Sequence, residues 1–161
     1  MKKVPRATRP NIPGYGISSQ RKGLLPWKWA EQRLKKARTY WISTVRPDGR
    51  PHSMPVWADW MDGNLWFSTG RGTVKARNMA ANPNVVVSIE IGKDDVIVEG
   101  VVTETTDLPR LKKFAVGYKK KYNWAIDPKE GPCFVVTPHV VFGLTSRPGQ
   151  FAKTATRWQF D

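Results

Sequence analysis

The apolar positions of the chain fall into short blocks of two different periods. Trp27, Ala30, Leu34 and Ala37 recur at spacings of three and four, with Lys35, Lys36 and Arg38 elsewhere, and predict a short amphipathic helix. Tyr40 to Val45 is β-branched and aromatic and is closed by Arg46-Pro47-Asp48-Gly49, so a first strand and a turn are expected there. A second strand should run from Arg50 to about Trp60. Asp62-Gly63-Asn64 reads as a hairpin turn into a third strand, Leu65 to Thr69. Residues 73–81 are good helix formers, stopped by Asn82-Pro83. Val85 to Ile91 and Val96 to Thr105 are strands on either side of the turn Gly92-Lys93-Asp94-Asp95. Asp107 can cap a helix with apolar positions Leu108, Leu111, Ala115, Tyr118 and Tyr122. Its outer face carries Arg110, Lys112, Lys113, Lys119, Lys120 and Lys121. Two last strands, 133–137 and 139–145, flank Pro138. Six or seven strands joined mainly by short turns predict a mainly β fold, an antiparallel β-barrel with small peripheral helices.

Residues 1–26 stand outside this pattern. They are rich in Pro and Gly, show no apolar period and read as an extended or mobile arm, leaving 27–161 as one domain. A length of 161 residues suits a single domain, and eight Trp are too many for a disordered chain. One cysteine, Cys133, excludes an internal disulfide framework and fits a reducing cytosol. No run of 18 apolar residues is present, and the basic N-terminus lacks the apolar segment of a signal peptide, so a soluble, cytoplasmic protein is expected.

Charge changes the picture through its placement. The 27 Lys/Arg and 13 Asp/Glu give a formal net charge of +14, which asks for an anionic partner. Eleven of the basic residues and a single acid, Glu31, lie in residues 1–38, a net +10; the other 123 residues carry only +4. Within them, not one acidic residue occurs between Asp62 and Glu90. In that stretch a strand ends at Ser68-Thr69, passes through Gly70-Arg71-Gly72 and opens a helix at Thr73, with Lys75 and Arg77 in its first turns. A helix N-terminus with free N–H donors is a phosphate site, and the hydroxyls of Ser68, Thr69 and Thr73 add donors. A solvent-facing loop and basic surface helix fit the same residues, and spacing alone leaves both open. Neither a Walker loop nor the Gly-x-Gly-x-x-Gly of a dinucleotide fold is present.

The strand Pro51-His52-Ser53-Met54-Pro55-Val56-Trp57 holds two prolines, which suit an edge strand. Its unpaired backbone groups could bond the rim of a planar heterocycle, with Trp57 or Met54 as apolar wall; protected edge and core aromatics fit equally well. His52, His139 and Cys133 have no metal-ligand spacing, and no Gly-x-Ser-x-Gly elbow supports a hydrolase. No acid/base pair stands out, so no catalytic side chain is designated.

Several separated motifs occur together in order: Trp41-Ile42-Ser43-Thr44-Val45-Arg46-Pro47-Asp48-Gly49-Arg50-Pro51-His52, Pro55-Val56-Trp57, Phe67-Ser68-Thr69-Gly70, Lys75-Ala76-Arg77-Asn78 and Asn82-Pro83. With Val98-Glu99-Gly100, Phe142-Gly143 and Thr156-Arg157-Trp158-Gln159-Phe160, they resemble the pyridoxamine 5'-phosphate oxidase-like split-barrel superfamily over about residues 27–160. Within it the chain looks most like the flavin/deazaflavin oxidoreductases of group B, many of which use coenzyme F420. The resemblance implies a six-stranded split β-barrel, a homodimer and two cofactor sites at the subunit interface. It implies that His52, Ser53, Met54 and Pro55 border the cofactor ring, with Trp57 as a wall. Ser68, Thr69, Gly70 and Arg71 would line the ribityl and phosphate region, and Lys75, Arg77 and Asn78 would hold the phosphate, in agreement with the helix-start anion site to which Thr73 adds its hydroxyl. Trp124, Arg157 and Trp158 would cover the cofactor from the other subunit. The expected activity is F420-dependent hydride transfer to or from an unsaturated small molecule, with quinone, tetrapyrrole and enone acceptors all open. An FMN-dependent oxidase or reductase on the same barrel, of the pyridoxamine 5'-phosphate oxidase type, is the nearest alternative. A non-catalytic barrel binding a cofactor, or nucleic acid through its basic arm, is the other.

Overall fold

The alternation in Tyr40–Val45 sends Tyr40, Ile42 and Thr44 inward and leaves Trp41 and Val45 outside, and the same rule repeats around a ring of strands. The structure, a computed structural model, describes residues 4–161. In chain order its elements are β1 (Arg6–Thr8), α1 (Trp27–Lys36), β2 (Tyr40–Val45), β3 (Pro51–Val56), β4 (Ala58–Met61), β5 (Asn64–Ser68) and α2 (Val74–Ala81). There follow β6 (Asn84–Ile91), β7 (Asp94–Thr105), α3 (Leu108–Tyr122), β8 (Cys133–Thr145), α4 (Phe151–Thr154) and β9 (Thr156–Gln159). All pairings are antiparallel. β2 pairs with β3 and β6, β6 with β7, β7 with β8, β8 with β5, and β5 with β4.

The expected strand 50–60 is therefore two. The chain pairs with β2 as far as Val56, skips Trp57, and pairs with β5 from Ala58 onward. Counted as one bent strand, β3 and β4 complete a six-membered circuit through a covalent link instead of a hydrogen-bonded ladder. The barrel is split at Trp57. Two further strands lie outside the ring: β9 pairs with the second half of β8, and β1 pairs with β9. Among the described residues that makes nine strands in one sheet.

Pro138 does not interrupt β8, contrary to the two separate strands expected. The register passes from Glu99↔Val140 to Gly100↔Pro138, so His139 is an extra residue in a bulge that absorbs the missing N–H of proline. Gly100 is required opposite it, because a Cβ there would sit 2.3 Å from the Thr137 carbonyl oxygen.

The barrel interior holds Ile42, Leu65, Phe67, Val87, Val96, Val98 and Trp158, and α1 closes one side with Ala30 and Leu34. A second cluster lies under α3, where Leu111, Phe114, Tyr118 and Tyr122 pack on Met61, Trp66 and Val135. Phe114 is fully buried while Leu108 and Ala115 are only half-buried, so the apolar stripe of α3 is rotated from the expected one. Its basic face is also smaller than expected. Lys121 turns inward, Lys113 pairs with Asp62 at 2.8 Å, and the Arg110 guanidinium lies 4.7 Å over the Trp66 ring.

Residues 9–22 are tied to the C-terminal segment. The Arg9 guanidinium donates to the carbonyls of Gln20, Lys22 and Ala155 at 3.0, 2.7 and 3.0 Å. Asp94, 3% exposed, accepts from Arg33 Nε at 2.9 Å and Arg147 Nη2 at 3.1 Å, fastening α1 and the loop after β8 to the β6–β7 hairpin. Burial pushes the Asp94 carboxyl up, but hydrogen bonds from Arg147, Arg33 and Thr145 outweigh it and hold it below the usual carboxylate range. No helix among the described residues is long and apolar enough to cross a membrane.

Candidate functional site

The split in the barrel creates a cleft. Where β3 gives way to β4, Trp57 points out 47% exposed, and the end of β5 with the start of α2 forms the opposite side. The cleft has a volume of about 610 Å³ and brings together five of the expected residues: Pro55, Trp57, Ser68, Thr69 and Lys75. Thr39, Trp41, Val56 and Tyr118 complete it.

The strand-to-helix turn is built by Thr73. As N-cap of α2, its hydroxyl accepts from the Ala76 N–H at 3.3 Å and donates to the Gly70 carbonyl at 2.9 Å. The Ser68 hydroxyl donates to the Pro132 carbonyl at 2.9 Å. Two of the three hydroxyls expected as ligand donors thus have their protons committed to the backbone; the third, Thr69, makes only a long contact of 3.4 Å to the Thr73 hydroxyl. Lys75 forms no ion pair or hydrogen bond among the described residues. Its ammonium is the uncommitted charge of the cleft. Neither Gly70 nor Gly72 has a positive φ, and nothing stands closer than 4.0 Å to a Cβ at either. The turn itself does not demand them; they leave its backbone bare.

The other cations of this segment go elsewhere. Arg71 forms an ion pair with Glu104 on β7, and Arg77 donates to the Gly72 carbonyl at 2.9 Å. Both line a separate cavity of about 260 Å³ floored by Met79, Val102 and Phe134. Lys75 is not among its lining residues, so the expected single cluster of three cations is divided. Asn78 is buried and its Nδ2 donates to Thr44 Oγ1 at 3.0 Å; it fastens α2 to β2 and offers nothing to a phosphate.

Of the expected ring-bordering residues, Pro55 alone of the four reaches the cleft. His52, Ser53 and Met54 continue along β3, with Ser53 bonded to Ser43 at 3.1 Å and Met54 44% exposed. His52 Nδ1 is buried with no hydrogen-bond partner among the described residues. Trp124, 60% exposed, follows the left-handed C-cap Asn123 of α3, and Arg157 donates to Gln159 at 3.1 Å; neither lines the cleft. Trp158 is a correction. It is wholly buried in the barrel core, edge-on to Trp27 at 5.5 Å and stacked on Trp29 at 6.4 Å, so it has no face to lay on a cofactor.

Sequence reasoning named Trp57 as a wall but missed the two tyrosines that back it, Tyr118 in the cleft and Tyr122 behind. Trp57 stacks on Tyr122 with ring centroids 4.8 Å apart and planes 5° from parallel, and Tyr118 is packed against both. Burial pushes the Tyr118 phenol up, with a smaller push from Cys133, and raises Tyr122 to about 12. The i, i+4 spacing of the two tyrosines was a readable signal, but only of a buried helix face. No group of three His, Cys, Asp or Glu that could hold a metal occurs among the described residues.

The family model described as pyridoxamine 5'-phosphate oxidase matches residues 27–143, most of the chain and the ring of barrel strands but for the last two residues of β8. The chain belongs to the pyridoxamine 5'-phosphate oxidase family. At family level this makes it a flavin-type oxidoreductase, on a mainly β, antiparallel split barrel. Among solved structures it is similar to an F420 reductase at 26% identity, covering 69% of this chain and 94% of that one with a TM-score of 0.58. General stress protein 26 from Bacillus anthracis is also 26% identical, covering 73% and 92%, with a TM-score of 0.60. A pyridoxamine 5'-phosphate oxidase-related, FMN-binding protein from Nostoc punctiforme shares the fold at 19% identity, covering 79% and 87%, with a TM-score of 0.55. No curated protein matches the chain.

The cleft of this family member fits a phosphorylated planar ring. It offers an aromatic wall, a bare-backbone turn at a helix N-terminus, and one uncommitted ammonium within the first helical turn.

Proposed function

We propose that the chain is an F420-dependent oxidoreductase that transfers a hydride between the deazaflavin ring and an unsaturated small molecule. The observation that carries the reading is the unpaired Lys75 ammonium facing a cleft walled by Trp57 and Tyr118. Lys75 and the bare N–H groups near Thr73 would hold the phosphate, Thr69 would donate to the chain between phosphate and ring, and Pro55 and Trp57 would flank the ring. The cofactor, when bound, supplies the hydride chemistry; the protein holds it, orients the acceptor and excludes water. No side chain in the cleft is assigned as proton donor.

F420 is preferred to FMN on two grounds. The 26% identical F420 reductase covers 94% of its own length in the match, and the motif order resembles the deazaflavin subgroup. A homodimer fits the outer face of the barrel, where Trp41, beside Trp57 in the cleft, is 48% exposed and Val45, farther along the same face of β2, is 37% exposed. In that assembly the split cleft would be completed by the second copy.

The test is a titration of the purified protein with F420 and with FMN, read by tryptophan fluorescence, and repeated with Lys75→Ala. Tight F420 binding weakened by the substitution is the expected result. Tight FMN binding with no F420 response would overturn the choice of cofactor.

A further inference from the structure

Lys121 and Tyr122 do not line the cleft, yet both act on its wall. They end α3, and their polar heads converge on Ala58, the residue that follows Trp57 at the split. Lys121 Nζ donates to the Ala58 carbonyl at 2.9 Å and to the Tyr40 hydroxyl at 2.7 Å, and stands 3.6 Å from the Asp59 carboxylate. Tyr122 Oη accepts from the Ala58 N–H at 3.0 Å, and has the Ala58 and Arg38 carbonyls at 2.8 and 2.9 Å to receive its proton. Its ring then lies flat against the Trp57 indole. The helix comes this near because Gly117 faces Asp59, where a Cβ would sit 2.6 Å from a carboxylate oxygen.

Packing alone does not explain the lysine. Its side chain is 12% exposed and its ammonium lies 4.8 and 5.6 Å from the ring centres of Tyr40 and Tyr122. Burial pushes the amine down to about 8, against the opposing pull of Asp59. An apolar side chain of the same length would fill the space without removing a charge from water. What the ammonium adds is a grip on the backbone beside Trp57.

We propose that Lys121 and Tyr122 are positioning residues that grip both backbone groups of Ala58 and so fix the Trp57 indole as the wall for a planar ring in the cleft. The binding half of this inference rests on the functional reading above; the positioning half does not.

Near-ultraviolet circular dichroism reads the Trp57–Tyr122 stack with no ligand present, and Trp57→Phe identifies its band. Lys121→Met and Tyr122→Phe, each shown folded by urea unfolding, are expected to lose that band. They should bind whichever of FMN or F420 the native protein binds about tenfold more weakly, the effect of losing one charge-assisted or buried hydrogen bond. Native spectra in both variants overturn the proposal, as does a lost band with native affinity. If the native protein binds neither probe, the functional reading has failed and the spectra alone decide the positioning role. If Lys121→Met does not fold, Tyr122→Phe, which keeps the ring, carries the test.

Discussion

Native folding should become more favourable as the pH rises from 8 to 10, because the fold takes an ammonium out of water. Lys121 falls from the ordinary lysine value of 10.5 to about 8, chiefly through burial. Between those values the unfolded chain holds the proton and the folded chain has released it, so stability increases with pH across the window. Each pH unit within it is worth about 1.4 kcal/mol for one proton, which gives about 2–3 kcal/mol from pH 8 to pH 10. The side chain is only 12% exposed, so solvent does little to reduce this. Above pH 10 the trend reverses. Tyr40, Tyr118 and Tyr122 are all raised by burial, so the unfolded tyrosines ionise first and draw the equilibrium toward the unfolded chain. The assay is urea unfolding at pH 7, 8, 9 and 10 for the native protein and Lys121→Met. The difference between them should grow with pH in favour of the native protein, because the tyrosines are common to both. Parallel curves would show that Lys121 keeps its ordinary affinity for a proton, and the burial argument would be refuted.

Three further outcomes follow from named contacts. Asp94→Asn leaves the guanidiniums of Arg33 and Arg147 without their buried counter-charge and should lower stability at pH 7 by about 3 kcal/mol in urea unfolding. Because its carboxyl is held below the usual range, that contribution is present above the ordinary carboxylate pKa and vanishes as pH falls through the folded value. Gly100→Ala should lower stability by about 3 kcal/mol or more, since its Cβ would meet the Thr137 carbonyl at 2.3 Å; a native thermal midpoint would refute the assigned bulge. Lys75→Ala should weaken a phosphorylated ring ligand about tenfold or more by calorimetry, while Arg71→Ala, whose guanidinium belongs to Glu104, should leave affinity unchanged. Equal losses would place both cations in one site.

The strands were legible because composition is a local property. Tyr40–Val45, Val85–Ile91 and Val96–Thr105 are marked as strands by β-branched and apolar residues without reference to any other strand, but their faces are set by pairing: Trp41 ends up exposed and Thr44 buried. What a strand pairs with is not local, and that is where the reading departed from the structure. Trp57 falls in the middle of an apparently continuous strand, and only the exchange of β2 for β5 as partner breaks it. Pro138 is the opposite case: a residue that locally ends a strand is carried through by a bulge whose other half is Gly100, 38 positions away.

The same distinction decides which polar residues belong to the cleft. Arg71, Lys75 and Arg77 lie within seven residues in an acid-free stretch, and charge along the chain joins them into one anion site. The helix separates them: Lys75 faces the cleft, while Arg71 and Arg77 line another cavity, where Glu104 from β7 neutralises Arg71. Asn78 and Trp158 carry side chains suited to ligands, but Thr44 and the barrel core take them. Lys121 errs in the other direction, placed by its neighbours Lys119 and Lys120 on a solvated face when its helical angle, next to Tyr122 and one turn from Tyr118, turns it inward. A net charge of +14 therefore reduces, at the cleft, to one ammonium that has no ion-pair partner among the described residues. That cation stands beside backbone N–H groups at a helix N-terminus, while Arg71 and Arg77, its neighbours in the chain, are held by Glu104 and the Gly72 carbonyl.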